Sequence, residues 1–232
     1  MVQYIRMDDY PHGMPNYDDN YKIIVETWVN IFEKYNINYI LGVSPLLLKL
    51  DDILLLKKII KKGKIVMHGF NHKFDHPGDW NTIVNTWDKG GEFMNMSVDK
   101  IRKIYIESNK ILSIFETYDK NHFIPPFNCI TQELIDVLNE NDVKYLHTCD
   151  KEYVEYGYKD IDFKNIRPIV SKYHKGYDHV HEVLNRIGNE DIGQLTLHWI
   201  FDYKFNDWVS NYEKLAKILN ENTDYTREWE TQ

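Results

Sequence analysis

The sequence has few cysteines and no excess of positive charge, and both shortages exclude whole classes of protein. Its 232 residues include 2 cysteines, Cys129 and Cys149, too few for a disulfide framework and not spaced as a CxxC metal site. We therefore expect reduced thiols in a reducing compartment. The formal net charge is -8, so a broad electrostatic hold on DNA or RNA is not expected.

The sequence also has no hydrophobic run long enough to cross a bilayer. The apolar stretch YILGVSPLLLKL is broken by Pro45 and Lys49. No basic segment followed by an apolar one marks a secretory signal, so we expect a cytoplasmic protein. The motifs G-x-S-x-G, G-x-x-x-x-G-K-[ST] and G-x-G-x-x-G are missing as well, which argues against a serine hydrolase of the α/β type and against common nucleotide-binding folds.

Hydrophobic and aromatic side chains are plentiful, and they alternate between strand-like and helix-like patterns. They make up 43% and 14% of the chain, enough for the core of a single domain over residues 1–232. Seven short apolar runs are predicted strands, at residues 2–7, 38–44, 64–70, 122–128, 143–149, 167–171 and 194–200. Amphipathic stretches of helical spacing separate most of them. This order predicts parallel strands in a β/α barrel, with an open doubly wound sheet as the alternative.

Unusual polar side chains come directly after several of these predicted strands. Asp8 and Asp9 end the first strand, His68 and His72 lie at the end of the third, and His198 lies at the end of the seventh. In parallel α/β architectures the carboxyl ends of the strands form one rim, and active sites lie on that rim. We therefore expect these residues to converge although they are far apart in the sequence.

His68 and His72, together with one of the two aspartates, form a candidate metal site. Two imidazoles and one carboxylate leave coordination positions open for water and substrate, as in catalytic sites, and zinc is the default metal. His76 continues the spacing of four residues, but three protein ligands suffice, so we interpret it as a loop residue or a substrate contact. The alternative is that the 10 histidines are scattered without such a role.

Adjacent aspartates beside a metal divide naturally into a ligand and a base. One carboxylate binds the cation, and the other takes a proton from metal-bound water, whose pKa falls to about 7 in zinc hydrolases. A histidine across the cleft, His198, can then protonate the leaving group. This combination predicts a hydrolase that acts on an amide or ester carbonyl.

The order of these motifs resembles that of the polysaccharide deacetylase family, the carbohydrate esterases with the NodB homology domain. The family motifs T-F-D-D-G, H-[ST]-x-x-H, R-x-P-x-[GY] and L-x-L-H correspond to RMDDYPHG, HGFNH, FIPPFN and LTLHW, in that order between residues 6 and 199. The resemblance implies a distorted (β/α)7 barrel. It also implies metal-dependent removal of an N-acetyl or other acyl group from a sugar or glycan precursor, with Zn2+ as the expected cofactor.

The resemblance also implies a role for each matching residue. Asp8 is similar in position to the general base and His198 to the general acid. The implied metal ligands are Asp9, His68 and His72. The implied substrate-side residues are Leu197, as a wall for the acyl methyl group, and Pro126 with Phe127, whose backbone N–H would help to stabilise the oxyanion.

The sequence departs from the family pattern at several positions. Tyr10 replaces the glycine of the first motif, and Ile124 replaces the arginine that braces the base. The family's D-x-x-D-W segment has no clean match, since CDKEY offers only Asp150; the partner of His198 is therefore unassigned. Glu92, in a long segment without periodicity, is either a polar group of the cleft or a solvated loop residue.

These departures leave two alternatives to an active sugar deacetylase. The first is a carbohydrate-binding pseudoenzyme that keeps the barrel but has lost acyl hydrolysis. The second is a metal-dependent amidase that acts on a non-sugar amide. The sequence does not indicate an oligomeric state.

Overall fold

The computed structural model describes residues 2–11, 20–72, 91–149, 161–171, 179–187, 193–198, 202 and 206–221, and every structural statement below concerns this part of the chain. His76 and Asp150 lie outside it. The strands are β1 Val2–Tyr10, β2 Ile40–Val43, β3 Lys64–His68, β4 Tyr118–Ile124, β5 Tyr145–Cys149, β6 Arg167–Ser171 and β7 Gly193–Leu197. The helices are α1 Tyr21–Lys34, α2 Leu50–Ile59, α3 Val98–Leu112, α4 Gln132–Glu140, α5 Val180–Arg186 and α6 Trp208–Glu221.

The seven strands close into a barrel in the order of the sequence. Each strand from β1 to β6 pairs in parallel with the next, and β7 pairs in parallel with β1. The join between β6 and β7 is different, because Ser171 and Gly193 meet in an antiparallel arrangement. The predicted distorted (β/α)7 barrel is thus confirmed, the doubly wound alternative is wrong, and one strand pair departs from the expected parallel order.

Local sequence signals determine where several helices begin. The hydroxyl of Ser97 accepts a hydrogen bond from the N–H of Lys100 at the start of α3, and that of Thr131 accepts one from Leu134 at the start of α4. Such caps satisfy backbone donors that have no partner within the helix. These caps mark the first residues of α3 and α4.

Alternation along the strands separates two hydrophobic regions. Side chains of one parity, such as Met7, Leu41 and Phe123, belong to the large core that the helices share. The opposite parity contributes a small separate cluster of Ile40, Val66 and Ile124, from β2, β3 and β4. Since neighbouring strand residues point to opposite faces of a sheet, this small cluster lies inside the barrel.

No helix within the described ranges is both long and apolar enough to cross a bilayer. The longest of them, α3, has polar residues along much of its length, among them Asp99, Arg102 and Lys110.

Candidate active site

A β-bulge at the end of β1 turns two consecutive carboxylates toward the same cleft. The pairing of β1 with β2 shifts between Met7 and Tyr10, where three steps on β1 oppose two on β2. Asp9 takes a left-handed conformation there, with φ of 71°. In a regular strand the side chains of Asp8 and Asp9 would point to opposite faces. The bulge also extends β1 beyond the predicted end at Met7.

The predicted metal ligands come together at this rim. One oxygen of Asp9, Oδ1, lies 3.0 Å from Nε2 of His68 and 2.8 Å from Nε2 of His72. Ligand atoms of all three residues lie within 4.8 Å of one another. Two imidazole nitrogens that converge on one carboxylate oxygen form a donor set suited to zinc and related divalent cations.

The tautomer of His68 is set by the backbone of the neighbouring strand. Its Nδ1 lies 3.2 Å from the carbonyl oxygen of Ile124, so Nδ1–H donates to that oxygen and Nε2 is left for the cation. Metal-binding histidines commonly use their second nitrogen in this way. Ile124 thus contributes through its main chain, although its side chain is apolar.

The loop between the two histidines is held by Glu92. The buried Glu92 carboxylate, 2% exposed, accepts hydrogen bonds from the N–H of Phe70 at 3.0 Å and from that of Asn71 at 2.7 Å. Gly69 has φ of 58°, and a Cβ there would collide with Glu92 and with Pro126. The interpretation of Glu92 as a solvated loop residue is therefore wrong, because it lies inside the protein and fixes the backbone just before His72.

The charges at the site favour an ionised Asp9. Burial alone would raise its pKa, but His72, His198 and the hydrogen bonds from His68 hold it well below its usual value. Burial likewise opposes the charged form of His72, yet Asp9 raises the pKa of this imidazole above its ordinary value. The carboxylate therefore draws a positive charge into the site, and a divalent cation can take the place of the proton.

Asp8 and His198, the predicted base and acid, lie beside this triad. Nε2 of His198 is 4.0 Å from Oδ2 of Asp8 and 3.6 Å from Oδ2 of Asp9. Burial lowers the pKa of His198, against the opposing pull of the two carboxylates. Within the described residues, Oδ1 of the buried Asp8 accepts no hydrogen bond. A buried carboxylate oxygen of Asp8 is thus left with its hydrogen-bonding capacity unused.

Two of the three substrate-side residues lie at this cleft. The ring of Phe127, whose backbone is left-handed with φ of 56°, is 4.6 Å from the His72 ring between centroids. Pro126 packs against Gly69 in the loop before His72. Leu197, by contrast, is 0% exposed and belongs to the large core between barrel and helices. The structure does not bring Leu197 to the cleft side of β7.

One charged residue of the site was missed in the sequence analysis. Nη2 of Arg6 lies 3.3 Å from Oδ2 of Asp8, and both side chains are buried. The spacing in the sequence could have identified Arg6, because a residue two positions before Asp8 in a strand lies on the same face of the sheet as Asp8. The ring of the buried His147 lies within hydrogen-bonding distance of the side chains of Gln194 and His122, below the candidate site in the barrel.

A second group of metal-capable side chains, also not anticipated, lies between α5 and α6. Ligand atoms of His179, His181 and Asp202 fall within 4.8 Å of one another. The Asp202 carboxylate already accepts hydrogen bonds from the N–H of Val180 at 3.3 Å and from the hydroxyl of Tyr212 at 2.5 Å. This carboxylate thus connects the two helices, and its oxygens have protein partners.

The barrel shares its fold with several solved structures, whereas comparisons of the sequence with family models and with curated proteins found no match. No protein-family model matches the chain, and no curated protein matches it. A family 4 carbohydrate esterase from Streptomyces lividans, solved with acetate, is 7% identical, with a TM-score of 0.59 over 97% of this chain and 90% of that one. A family 4 acetyl xylan esterase from Clostridium thermocellum with a cobalt ion is 14% identical, with a TM-score of 0.54 over 97% and 86%.

A third similar structure comes from Bacillus anthracis and is a pseudoenzyme of the same family. It is 10% identical, with a TM-score of 0.58 over 97% of this chain and 66% of that one. The three agree in fold, so the expected resemblance to family 4 carbohydrate esterases is confirmed for the barrel. At these identities the likeness concerns the fold and leaves the chemistry to be argued from the residues.

Proposed function

We propose that this protein is a metal-dependent deacylase that removes an N-acetyl or other acyl group from a sugar or glycan precursor. The observation that carries the proposal is the meeting of a His-His-Asp donor set with a second carboxylate and a third histidine at one barrel rim. The acetate in the Streptomyces lividans esterase and the cobalt in the acetyl xylan esterase are consistent with acetyl chemistry at a divalent site.

Each residue of the rim has a task in this reaction. Asp9, His68 and His72 would hold a divalent cation, which we propose to be zinc, and when bound it would supply Lewis-acid chemistry to the acyl carbonyl and to water. Asp8 accepts a proton from the attacking water. His198 donates a proton to the departing nitrogen or oxygen of the sugar.

The substrate side of the proposal rests on the loop after β4. The backbone N–H of Phe127 is proposed as a donor to the negative oxygen that develops on the attacked carbonyl. The Phe127 ring beside His72 offers an apolar surface for the acyl methyl group. This position takes over the role that the sequence analysis assigned to Leu197, which is buried in the core.

Two observations weigh on the pseudoenzyme alternative. One similar structure is a pseudoenzyme, and a mutant of it is described as having restored enzymatic activity, so the fold alone does not decide. In this chain, however, the proposed base Asp8, the proposed acid His198 and three metal-capable side chains lie together at one barrel rim, which supports an active enzyme. A module that only binds sugar has no need of both proton-transfer groups.

The test is acetate release from a defined set of compounds with and without a chelator. Purified protein is stripped, reloaded with Zn2+ and offered N-acetylated sugars, O-acetylated xylo-oligosaccharides and simple acetamides. We expect acetate from at least one acetylated sugar, loss of this activity with the chelator, and its return with zinc. Release from simple acetamides alone would favour the amidase, and sugar binding without release would favour the pseudoenzyme.

Metal content shows, without any substrate, which of the two metal-capable groups binds zinc: Asp9, His68 and His72 at the rim, or His179, His181 and Asp202. We expect one zinc per chain at the barrel rim, a loss of this ion in His68→Ala, and its retention in Asp202→Asn. Elemental analysis after dialysis measures it. Unchanged metal content in His68→Ala would contradict the site.

A further inference from the structure

Ile124 stands where the family motif has the arginine that braces the base, and its hydrocarbon side chain cannot pair with a carboxylate. Ile124 is fully buried and packs with Ile40 and Val66. Its Cδ1 and the Oδ1 of Asp8 each lie 3.1 Å from the point where a Cβ on Gly42 would stand. The β4 side of the base is therefore filled by hydrocarbon that lies directly beside the carboxylate.

A guanidinium reaches the same base from the other side. Arg6 is 1% exposed and lies two residues before Asp8 in β1, so both side chains enter the barrel. Its Nη2 is 3.3 Å from Oδ2 of Asp8. A buried arginine cannot lose its proton, so it needs an anion nearby. Among the described residues, Asp8 is the anion with which Arg6 forms an ion pair.

The rest of the guanidinium is held by strands on both sides. Nε donates to Oγ1 of Thr196 at 3.0 Å, and Nη1 donates to the carbonyl oxygen of His147 at 3.0 Å. These partners belong to β7 and β5, so the plane of the guanidinium is anchored across the barrel. With the plane anchored, the third nitrogen is directed to one carboxylate oxygen of Asp8, and the other oxygen remains without a protein partner in the described structure.

We propose that Arg6 is the positioning residue of the base, so that the brace expected from β4 is supplied in this chain by β1. It holds Oδ2 of Asp8, keeps a compensating charge beside the carboxylate, and leaves Oδ1 without a protein hydrogen bond in the described structure. This inference rests on the proposed function for its catalytic consequence. The pairing of Arg6 with Asp8 can be tested without any substrate.

The first experiment is a double-mutant cycle on thermal unfolding of metal-free protein. Melting temperatures are measured for the wild type, Arg6→Met, Asp8→Asn and the double variant. Each single change leaves a buried polar or charged group without its partner, so we expect each to lower the melting temperature and the double variant to lose clearly less than the two losses together. Additive losses would overturn the pairing.

The second experiment measures kcat and KM on the substrate identified above, with zinc content determined for every variant. We expect Arg6→Met to lose about 100-fold in kcat, the scale of misplacing a general base, with KM and zinc content within about threefold of the wild type. Arg6→Lys is expected to keep at least about a tenth of the wild-type kcat, and it replaces Arg6→Met if that variant does not fold. A wild-type kcat in folded Arg6→Met or a loss in Arg6→Lys as large as in Arg6→Met would contradict the role.

The third experiment moves the arginine from β1 to β4 and compares kcat with and without it. In Arg6→Thr the guanidinium is removed, and in Arg6→Thr with Ile124→Arg it is returned from β4, where the related enzymes have it. We expect the second change to raise kcat at least about tenfold over Arg6→Thr. No gain in a folded, zinc-loaded double variant would overturn the proposal that a cation beside Asp8 is what the site requires.

A matched control removes a purely structural explanation. Ile5→Ala alters the neighbour of Arg6 on the opposite face of β1, in the large core, and should lower the melting temperature while leaving kcat unchanged. If Ile5→Ala lowers kcat as much as Arg6→Met does, the effect belongs to the strand and the proposal fails. If the wild type releases no acetate, the proposed function fails, while the unfolding cycle still decides whether Arg6 and Asp8 are paired.

Discussion

The two sides of the barrel interior differ in chemistry, and the candidate site divides along the same line. Strands β2, β3 and β4 contribute the small apolar cluster of Ile40, Val66 and Ile124. Strands β1, β5 and β7 contribute hydrogen-bonded polar groups, among them Arg6 and His147. His68 ends β3 and His72 follows it on the apolar side, whereas the proposed base Asp8 lies on β1 and the proposed acid His198 directly follows β7.

This difference shows two ways of holding functional side chains in place. On the apolar side the ligands are fixed through main-chain groups: His68 donates to the carbonyl of Ile124, and Glu92 accepts from the backbone before His72. On the polar side the base is held by another side chain, Arg6. A main-chain carbonyl anchors His68 without adding a charge next to Ile124, whereas the Glu92 and Arg6 side chains bring charges that must themselves be satisfied.

The largest expected effect concerns the polar side. Asp8→Asn removes the proposed base but preserves its size, so we expect kcat to fall by about 10²- to 10⁴-fold while zinc content stays unchanged. Acetate release and elemental analysis on the same preparation measure both quantities. Full activity in this variant would remove Asp8 from the mechanism and with it the functional meaning of the polar side.

On the apolar side the expected effect is smaller and appears in metal affinity. Glu92→Gln keeps one acceptor oxygen but loses the charge that faces the two N–H groups, and we expect zinc binding to weaken by about 10- to 100-fold, as for other residues that orient metal ligands. Competition with a chromophoric chelator measures this affinity. Glu107→Gln, at an exposed position of α3, serves as control, and an equal loss there would contradict the role of Glu92.

A third prediction concerns Gly42 of β2, which lies between Asp8 on the polar side and His68 on the apolar side. A Cβ on Gly42 would lie 3.1 Å from Oδ1 of Asp8 and 3.2 Å from Cβ of His68. Gly42→Ala should therefore lower the free energy of unfolding by about 1–2 kcal/mol through overpacking and reduce kcat more than it changes KM. Urea unfolding and steady-state kinetics measure the two effects. A stabilised, fully active variant would show that the cleft has spare room.

The smallest effect is a pH dependence of stability from the polar side. Burial, together with His122 and Arg6, holds the pKa of His147 well below its usual value of 6.5, so the folded protein keeps this imidazole neutral while the unfolded chain binds a proton. Stability is then fully present above pH 6.5 and is lost as the pH falls, by about 0.7 kcal/mol between pH 7 and pH 6 for one such group. Urea unfolding at both pH values, for the wild type and for His147→Gln, measures it. A slope that is the same in both proteins would contradict a neutral His147.

Much of this architecture could be read from the sequence because its signals are local. Alternating strands and amphipathic helices predicted the barrel, and the observed caps Ser97 and Thr131 are local features of the same kind. The order of Asp8-Asp9, His68-x-x-x-His72 and His198 predicted one cleft, since strand ends share a rim. Leu197 was misplaced in that reading because the alternation of β7 turns it to the core.

What the sequence by itself determined is the barrel, its rim and the residue types that gather there, since these follow from periodicity and from the order of strands. Tertiary structure alone decided which neighbours act together. The bulge that lets Asp8 and Asp9 share a cleft, the Glu92 carboxylate on the loop before His72, and the Arg6 guanidinium on the base each depend on contacts between segments distant in the chain or on strand register. Hydrogen bonds and ion pairs of this kind depend on distances of a few tenths of an ångström, which no spacing along a chain can specify.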